Sequence, residues 1–430
     1  TQVIDIELPP IVRFERQGGG KEAIENAAKL LSKAKFPVIL SGAGVVLGGA
    51  IDECKKLAEK LDAPVCNGYQ HNDSFPGSHP LAVGPLGYNG SKAAMELISK
   101  ADVVLALGTR LNPFSTLPGY GIDYWPKKAT IIQVDMNPDR IGLTKKVSVG
   151  ICGDAKQVAQ QILDKLSSDA GNTGREERKN LIHKTKSAWL QTLSGLDHEE
   201  DDPGTVWNKE ARERDKDRMS PRQAWRAIQD ALPQDAIISS DIGNNCAIGN
   251  AYPTFEKPRK YLAPGLFGPC GYGFPAILGA KIGCPDTPVV GFAGDGAFGI
   301  SMNEMSSCAR EEWPAITMVI FRNYQWGAEK RNSILWFDDN FVGTELDPEL
   351  SYAKVANACG LKGVTCKTME ETTKAIKQSC EDQKKGITTF IEIILNQELG
   401  EPFRRDAMKK PVKVAGIKKE DMKKQPSLIS

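Results

Sequence analysis

A short apolar run and a glycine-rich turn meet in the segment Val289-Val-Gly-Phe-Ala-Gly-Asp-Gly-Ala-Phe-Gly299. The run is typical of a strand buried on both faces, and the residues after the turn favour a helix that ends near Trp313. In open α/β sheets, ligands bind beyond the carboxyl ends of such strands. The segment therefore predicts a parallel α/β domain with a binding site at the turn.

The turn matches the pattern Gly-x-Gly-x-x-Gly of dinucleotide-binding folds, but its charge argues against that interpretation. Asp295 lies between the first two glycines, where its carboxylate would repel a pyrophosphate unless a cation lay between them. The next strand ends at Phe321-Arg322-Asn323, where an NAD site needs an acidic residue for the ribose. Arg322 would suit the 2′-phosphate of NADP, so that alternative stays open.

A divalent metal removes the conflict of charge. Asp295 and Asn323 follow neighbouring strands, so both are expected at one edge of the parallel sheet. Magnesium takes six oxygens, shared among carboxylates, carbonyls, water and substrate phosphates. Gly294 and Gly296 would let the backbone approach a diphosphate, and the helix that follows offers amide donors.

Strand-like and helix-like segments alternate along most of the chain, which predicts two doubly wound, mostly parallel α/β domains. We expect the first over residues 16–168 and the second over residues 219–400. The charged stretch 169–218 is interpreted as a connector with at most one amphipathic helix. Residues 1–15 resemble the exit from an earlier domain, and residues 401–430 form a basic tail that we expect to be solvated.

The predicted strands are short apolar runs, and the predicted helices have apolar residues at helical spacing. The strands are expected at residues 37–40, 64–66, 102–107, 129–135, 236–240, 288–293, 316–321 and 388–395, and the helices at 50–61, 91–100, 154–166 and 222–232. Ser220 and Pro221 form a good N-cap and first-turn pair for the last of these helices.

The composition is that of an ordinary globular protein. Of 430 residues, 55 are Lys or Arg and 54 are Asp or Glu, which gives a net charge of +1. Roughly 150 residues per domain predicts two to three domains. The balanced charge gives no electrostatic reason to expect nucleic acid or an anionic membrane as a partner, and the apolar run 36–51 is too short to span a bilayer.

Cysteine usage indicates a reducing compartment. The ten cysteines include no Cys-x-x-Cys pair, and only four histidines are present to support a zinc site. We therefore expect reduced, mostly buried thiols and a cytoplasmic location. No targeting leader is recognisable after Thr1.

Three segments together resemble the thiamine diphosphate enzymes. Gly294-Asp-Gly296 followed one crossover later by Asn323 is similar to their metal signature. Gly265-Leu-Phe-Gly-Pro-Cys-Gly-Tyr-Gly-Phe-Pro-Ala-Ile-Leu-Gly-Ala280 resembles the loop that, in the acetolactate synthase group, cradles the pyrimidine and thiazolium rings. Asp241-Ile-Gly-Asn-Asn245 resembles the loop that touches the diphosphate.

This resemblance implies thiamine diphosphate and Mg²⁺ as cofactors, with Asp295 and Asn323 binding the metal through side chains and Gln325 through its carbonyl. The cofactor-binding residues that it implies are Asp241, Gly243, Asn244, Asn245, Gly268, Cys270, Gly294, Asp295, Gly296, Ala297, Asn323, Gln325, Trp326 and Gly327. Cys270 stands where relatives place a larger apolar residue to bend the cofactor. Arg322 departs from the usual Asn-Asn pair, but the second Asn is the ligand.

Residues 65–73, 108–121, 323–332 and 335–346 resemble one branch more closely, the sulfoacetaldehyde acetyltransferases. This implies conversion of sulfoacetaldehyde and phosphate into acetyl phosphate and sulfite, in taurine and other sulfonate catabolism. Both substrates are anions, so the site should carry further cations.

The candidates for contact with these anionic substrates are cationic or imidazole side chains near the predicted site. They are Lys330 and Arg331, with Arg404 and Arg405 as a closing segment and with His71 lining the cleft beside the neutral Asn72. Surface solvation is the alternative interpretation of the four cations, and a structural hydrogen bond that of His71. Trp326 is interpreted as packing rather than as a stacking platform.

Members of this family are longer at the N-terminus, where a pyrimidine-binding domain carries the glutamate that activates the cofactor. That glutamate is not recognisable here, so the resemblance implies a fragment that holds the central and diphosphate-binding domains. It also implies a homodimer or homotetramer, because cofactor sites in this superfamily lie between subunits.

Two other functions stay open. One is another thiamine diphosphate carboligase such as an acetolactate synthase, which a 2-oxoacid substrate or bound FAD would indicate. The segment Gly42-Ala-Gly-Val-Val-Leu-Gly48 is either a flavin site or, as we favour, a tight structural turn. The other is a chain that binds the cofactor without turning it over.

Overall fold

The computed structural model describes residues 15–195, 213, 215–265, 267–336 and 342–398. The predictions for the exit segment, the basic tail, Arg404 and Arg405 concern residues that lie largely or wholly outside these ranges. No helix within the ranges is both long and apolar enough to cross a membrane.

The first domain contains one six-stranded sheet in which all neighbouring strands are parallel. Its strands are β1 (Pro37–Ser41), β2 (Val65–Asn67), β3 (Ala82–Pro85), β4 (Val103–Leu107), β5 (Thr130–Asp135) and β6 (Val149–Cys152), in the order β3-β2-β1-β4-β5-β6. Its helices are α1 (Lys21–Lys33), α2 (Ala43–Gly48), α3 (Ile51–Leu61), α4 (Lys92–Ile98), α5 (Ala155–Lys165) and α6 (Arg175–Gly195). The strand order reverses between β1 and β4, the type of position where open sheets bind ligands.

The second domain contains a second six-stranded parallel sheet. Its strands are β7 (Ile237–Ser240), β8 (Tyr261–Leu262), β9 (Val289–Gly294), β10 (Thr317–Arg322), β11 (Lys362–Cys366) and β12 (Thr389–Ile394), in the order β11-β12-β10-β9-β7-β8. Its helices are α7 (Pro221–Gln229), α8 (Asn244–Ile248), α9 (Gly273–Gly283), α10 (Asp295–Ser301), α11 (Met305–Cys308), α12 (Gly327–Trp336), α13 (Tyr352–Ala358) and α14 (Met369–Gln383). The two doubly wound parallel domains confirm the predicted fold class.

The central strands match the predictions because they are buried on both faces. All residues of β1, β4, β7 and β10 are buried, and most of them are apolar, so these strands are recognisable in the sequence. Ser220 caps α7 as predicted, through a capping box with Gln223. The four strands that the sequence did not indicate are β3, β6, β8 and β11, which are the edge strands of the two sheets. None of them gives a long apolar run, because β6 and β11 are partly exposed, β8 has only two residues, and β3 has four residues of which the last two are Gly84 and Pro85.

The charged stretch 169–218 is not wholly a solvated connector. Its described part contains α6, which packs against α4 of the first domain. Arg178, on α6, is 1% exposed and donates hydrogen bonds to the carbonyl oxygens of Lys35 (2.6 Å), Leu61 (2.9 Å) and Asp62 (2.9 Å). These contacts attach α6, the helix in the described part of this stretch, to the first domain. The charges in this stretch did not indicate that α6 packs against the first domain. The buried Arg178 is bound by backbone oxygens, and such partners cannot be recognised from the sequence.

We expect Arg178→Ala to lower the free energy of unfolding by about 2–3 kcal/mol, because several buried carbonyls would lose a charged donor. The measurement is urea denaturation followed by circular dichroism. Lys179→Ala, at the exposed neighbouring position, is the matched control and should change stability by less than about 0.5 kcal/mol. Equal denaturation midpoints for the two variants would show that α6 is not held by Arg178.

Candidate active site

The candidate site lies where β7, β9 and β10 end. Asp241 follows β7, Asp295 follows β9 and Asn323 follows β10, and each is at most 2% exposed. Gly294 pairs with Phe321 in the β9–β10 ladder, so the two strands end level with each other. The structure therefore brings the predicted metal ligands to one edge of the sheet.

Three oxygens converge around Asn323. Its amide oxygen lies 3.2 Å from Asp295 Oδ1 and 3.2 Å from the carbonyl oxygen of Gln325, while its amide nitrogen lies 3.2 Å from Asn245 Nδ2. In this orientation acceptors face acceptors and donors face donors, and turning the amide by half a turn would convert all three contacts into hydrogen bonds. A cation among the oxygens makes the first orientation the favourable one. The donor set of one carboxylate, one amide and one carbonyl oxygen fits magnesium.

This arrangement differs from a metal site built on charged ligands. In the described part of the chain, no group of three or more His, Cys, Asp or Glu side chains is placed to hold a metal. A metal at Asp295 would therefore depend on neutral oxygens from Asn323 and Gln325. Such a site is typical of ions that also bind a substrate phosphate.

The two oxygens of the Asp295 carboxylate have different partners. Oδ2 accepts hydrogen bonds from the Tyr324 amide (2.7 Å) and from Arg322 Nη1 (3.1 Å), whereas Oδ1 accepts from the Gly296 amide (3.0 Å). Burial raises the pKa of Asp295 to about 6, against the opposing effects of Arg322 and of these two amides. The carboxylate is therefore ionised at neutral pH, with Oδ1 directed toward Asn323.

Arg322 lies behind Asp295, away from the open edge of the site. Its side chain is fully buried, with Nη2 donating to the carbonyl oxygen of Leu350 (3.0 Å) and Nε 3.8 Å from Glu392 Oε1. Its guanidinium also stacks on Tyr324, 4.3 Å from the ring centre. The NADP alternative needs this side chain to reach a ligand phosphate, so the structure contradicts it.

Backbone geometry between the predicted ligands orients the Gln325 carbonyl. Tyr324 has a φ of +62°, an uncommon value for a residue with a large side chain. This conformation lets the Tyr324 amide reach Asp295 while the next carbonyl turns toward Asn323. The Gln325 side chain is used elsewhere, donating from Nε2 to the carbonyl oxygen of Gln397 (3.0 Å).

The glycines of the site have different roles. A Cβ atom at Gly294 or Gly243 would meet no heavy atom within 4 Å, and Gly243 has a φ of +142°. These two positions leave the open space that a diphosphate needs. A Cβ at Gly296 would lie only 2.7 Å from the Trp326 indole, so glycine is needed there for packing, and its predicted approach to the diphosphate stays a prediction. Trp326 packs on the turn, as predicted.

Other predicted cofactor residues lie on the helices and the loop that follow the strands of this sheet. Asn244 Oδ1 and Asn245 Oδ1 are buried and accept no hydrogen bond from any described residue, which fits acceptors for a donor such as metal-bound water. Ala297 lies on α10, and Gly327 begins α12. Gly268 has a φ of +70°, in the loop predicted to face the cofactor rings.

Asp241 organises the glycine-rich loop. Its carboxylate accepts hydrogen bonds from the amides of Ile242 (2.7 Å), Gly271 (3.1 Å) and Gly273 (2.7 Å). Burial raises the pKa of Asp241, and the three amides oppose the rise. The contact with the cofactor that the resemblance implied stays a prediction. Burial and the carboxylates of Asp241 and Glu329 also raise the pKa of the Cys270 thiol, which therefore stays protonated.

A cavity of 390 Å³ lies between the two domains, next to this site. Arg331 lines it and is 4% exposed, with its guanidinium donating to the Tyr88 hydroxyl of the first domain. Lys330 is not among the lining residues, and its Nζ pairs with Glu345 at 2.5 Å. The structure therefore favours Arg331 over Lys330 for contact with a substrate.

His71 lines a neighbouring cavity of 970 Å³, beyond the ends of β1 and β4. Burial, assisted by Arg110, lowers the pKa of His71 to about 4, so the imidazole is neutral. Residues Ala43–Gly48 form the short helix α2 rather than the tight turn that we favoured, and a Cβ at Gly44 would lie 2.7 Å from Gly108 Cα, so glycine is needed there for packing. The flavin alternative stays a prediction.

Contacts between the two domains were not predicted. Asn72, expected with His71 to line the cleft, donates from Nδ2 to the carbonyl oxygens of Asn250 (2.8 Å) and Pro253 (2.9 Å). Arg110, which lines both cavities, lies in a segment used for the family resemblance, but no motif singled it out.

Known proteins resemble the chain over almost its whole length. It matches the family models "Thiamine pyrophosphate enzyme, central domain" over residues 24–162 and "Thiamine pyrophosphate enzyme, C-terminal TPP binding domain" over residues 241–393. It is 77% identical to a probable sulfoacetaldehyde acetyltransferase of Rhizobium meliloti and 75% identical to a sulfoacetaldehyde acetyltransferase of Roseovarius nubinhibens. These alignments cover 99% of the chain and 72% and 70% of the relatives. A probable acetolactate synthase large subunit of Methanocaldococcus jannaschii is 29% identical over 87% of the chain and 62% of its own length.

Proposed function

Because the chain belongs to the sulfoacetaldehyde acetyltransferase family of thiamine pyrophosphate enzymes, we propose that the edge formed by β7, β9 and β10 binds thiamine diphosphate through Mg²⁺. The chain is an acyltransferase that acts on sulfoacetaldehyde. Phosphate is the acceptor, so the products are acetyl phosphate and sulfite. The observation that carries the cofactor proposal is the convergence of three oxygens at Asn323.

The metal ligands are Asp295 Oδ1, the Asn323 amide oxygen and the Gln325 carbonyl oxygen. The fixed carboxylate supplies one negative charge, and the two neutral oxygens leave net positive charge on the ion for the diphosphate. Remaining coordination positions belong to diphosphate oxygens and water.

The open backbone at Gly243 and Gly294 admits the diphosphate. When bound, thiamine diphosphate supplies the carbon nucleophile that no amino-acid side chain provides. The chain's own residues bind and orient it: Asp241 holds the loop 265–273 in place, so that Gly268 and Cys270 face the rings. The lining of the adjacent cavity, which includes Tyr69, Tyr88 and Phe114, excludes water from the reacting centre.

Arg331 is the substrate-facing cation of the second domain. Its burial strengthens its interaction with an anion, and Tyr88 fixes its direction. His71, neutral in the neighbouring cavity, has no equivalent support for a catalytic role.

Other properties rest on the family resemblance and stay predictions. They are a homodimer or homotetramer, a cytoplasmic location and a role in taurine and sulfonate catabolism. The free thiols support the cytoplasmic location, because none of the ten cysteines, all of which the structure describes, forms a disulfide and reduced thiols are typical of a reducing compartment.

The test is release of sulfite. With thiamine diphosphate, Mg²⁺, sulfoacetaldehyde and phosphate, we expect sulfite and acetyl phosphate in equal amounts, because one molecule of each forms per turnover. Omitting phosphate should abolish acetyl phosphate, and removing the metal with a chelator should abolish both products. Pyruvate in place of sulfoacetaldehyde is the control for acetolactate synthase activity. Consumption of pyruvate without sulfite release from sulfoacetaldehyde would contradict the proposed substrate.

A further inference from the structure

Arg110 is a second cation in the 390 Å³ cavity, and it comes from the first domain. It lies just after β4, where Nη2 is 3.4 Å from the carbonyl oxygen of Gly265, a long hydrogen bond. Among the residues that the structure describes, no carboxylate forms a salt bridge with it. A partly buried guanidinium with one long contact keeps most of its donors available.

Arg110 contacts the part of the site proposed for the cofactor rings. The diphosphate site proposed above lies at Gly243 and Gly294, and Gly243 lines the same cavity, but the contact of Arg110 is with the start of the loop 265–273, which we propose faces the rings. Asn112 Nδ2 also lies 3.4 Å from the Gly265 oxygen, so two first-domain donors meet this loop. A substrate reacts at the ring end of the cofactor, and Arg110 is therefore on the substrate's side.

The charges around the cavity favour an anion near Arg110. The carboxylates that line the cavity belong to Asp241 and Glu329, and the Asp241 carboxylate is already bound by three amides. Arg331 lines the same cavity from the second domain, but Tyr88 holds its guanidinium. Of these two arginines, Arg110 has the longer hydrogen bond to its neighbour, so its guanidinium is held more weakly.

We propose that Arg110 binds a tetrahedral oxyanion in this cavity, either the sulfonate of sulfoacetaldehyde or the attacking phosphate. Arginine suits such a ligand because its planar fork donates two parallel hydrogen bonds to two oxygens of one anion. A tetrahedral oxyanion also distinguishes these substrates from the planar carboxylate of a 2-oxoacid. The inference rests on the proposed function and adds the residue that recognises its substrate.

The experiment compares Arg110→Gln, Arg110→Lys and Arg140→Gln in the full-length, cofactor-loaded enzyme. Arg140 is the matched control because it lines only the 970 Å³ cavity. In Arg110→Gln we expect the KM for one substrate to rise at least tenfold, while the dissociation constant of thiamine diphosphate stays within about twofold. The KM of Arg110→Lys should lie between those of the wild type and Arg110→Gln, because lysine keeps the positive charge but lacks the planar pair of donors. A higher KM for sulfoacetaldehyde identifies the sulfonate as the ligand of Arg110, and a higher KM for phosphate identifies phosphate as that ligand.

Two results would overturn the inference. One is unchanged KM values for both substrates in Arg110→Gln, and the other is an equal change in Arg140→Gln, which would indicate a general effect of charge. Failure of the proposed function is a separate result, because wild-type enzyme would then release no sulfite. Calorimetric titration with inorganic phosphate and with methanesulfonate, without turnover, supplies the independent readout: weaker binding of either anion in Arg110→Gln alone supports the inference, and unchanged binding of both opposes it.

Discussion

Asp295→Ala should bind thiamine diphosphate at least about a hundredfold more weakly than the wild type in the presence of Mg²⁺, a difference of about 2.7 kcal/mol. Asp295 is the charged member of the proposed ligand set, and the oxygens of Asn323 and Gln325 are neutral. Magnesium is commonly held by one or two carboxylates together with substrate phosphates, so removing this carboxylate removes most of the attraction for the ion. Without metal, the wild type and the variant should bind the cofactor equally weakly.

A second variant separates metal binding from folding. Asp295→Ala also leaves the buried Arg322 without one of its two carboxylate partners, whereas Asn323→Ala removes one neutral oxygen and no charge. Both variants should lose the magnesium-dependent part of cofactor binding, measured by titration calorimetry. Asn303→Ala, at an exposed position, is the matched control. Wild-type affinity in both site variants would contradict the metal assignment.

Magnesium affinity should also depend on pH. Burial raises the pKa of Asp295 to about 6 in the metal-free protein, and a proton on this carboxylate competes with the ion. Affinity should therefore be constant above about pH 6 and fall by about tenfold for each pH unit below it. Asp295→Asn, which cannot lose a proton in this range, should bind the metal weakly and show no such change.

The positions of the proposed metal ligands were predictable because they follow from strand geometry alone. Residues that come directly after neighbouring parallel strands meet at one sheet edge, whatever the intervening helix does. Asp295 and Asn323 satisfy this rule. The central strands were predictable for a similar reason, since burial on both faces leaves a mostly apolar run.

The supporting contacts were not predictable, because they join residues that are distant in the sequence. Arg322 contacts Glu392 only because β10 and β12 are neighbours in the sheet, and the order of strands in a sheet cannot be read from the sequence of either strand. The role of Gly296 depends on where the Trp326 indole packs, and the role of Asp241 on the path of the loop after residue 265. For Arg322, Gly296 and Asp241, the motif in the sequence predicts where the residue lies but not which residue it contacts.

The buried group formed by Asp295, Arg322 and Glu392 gives the second large expected effect. Arg322 Nη1 is 3.1 Å from Asp295 Oδ2 and its Nε is 3.8 Å from Glu392 Oε1, and all three side chains are at most 2% exposed. Arg322→Asn, which restores the Asn-Asn pair typical of the wider family, would leave two buried carboxylates without a cation. We expect the free energy of unfolding, measured by urea denaturation without metal, to fall by about 3–5 kcal/mol.

The double variant Arg322→Asn/Glu392→Gln tests whether this loss arises from the unpaired charges. Because Glu392→Gln removes one of the two carboxylates, the double variant should be less destabilised than the sum of the two single variants. Saturating Mg²⁺ should recover part of the loss in Arg322→Asn, because the ion places positive charge beside Asp295. Arg310→Asn, which breaks the exposed pair with Glu312, is the matched control and should cost less than about 1 kcal/mol. Strict additivity in the double variant, or a loss in Arg322→Asn no larger than that in Arg310→Asn, would show that the guanidinium does not balance the two carboxylates.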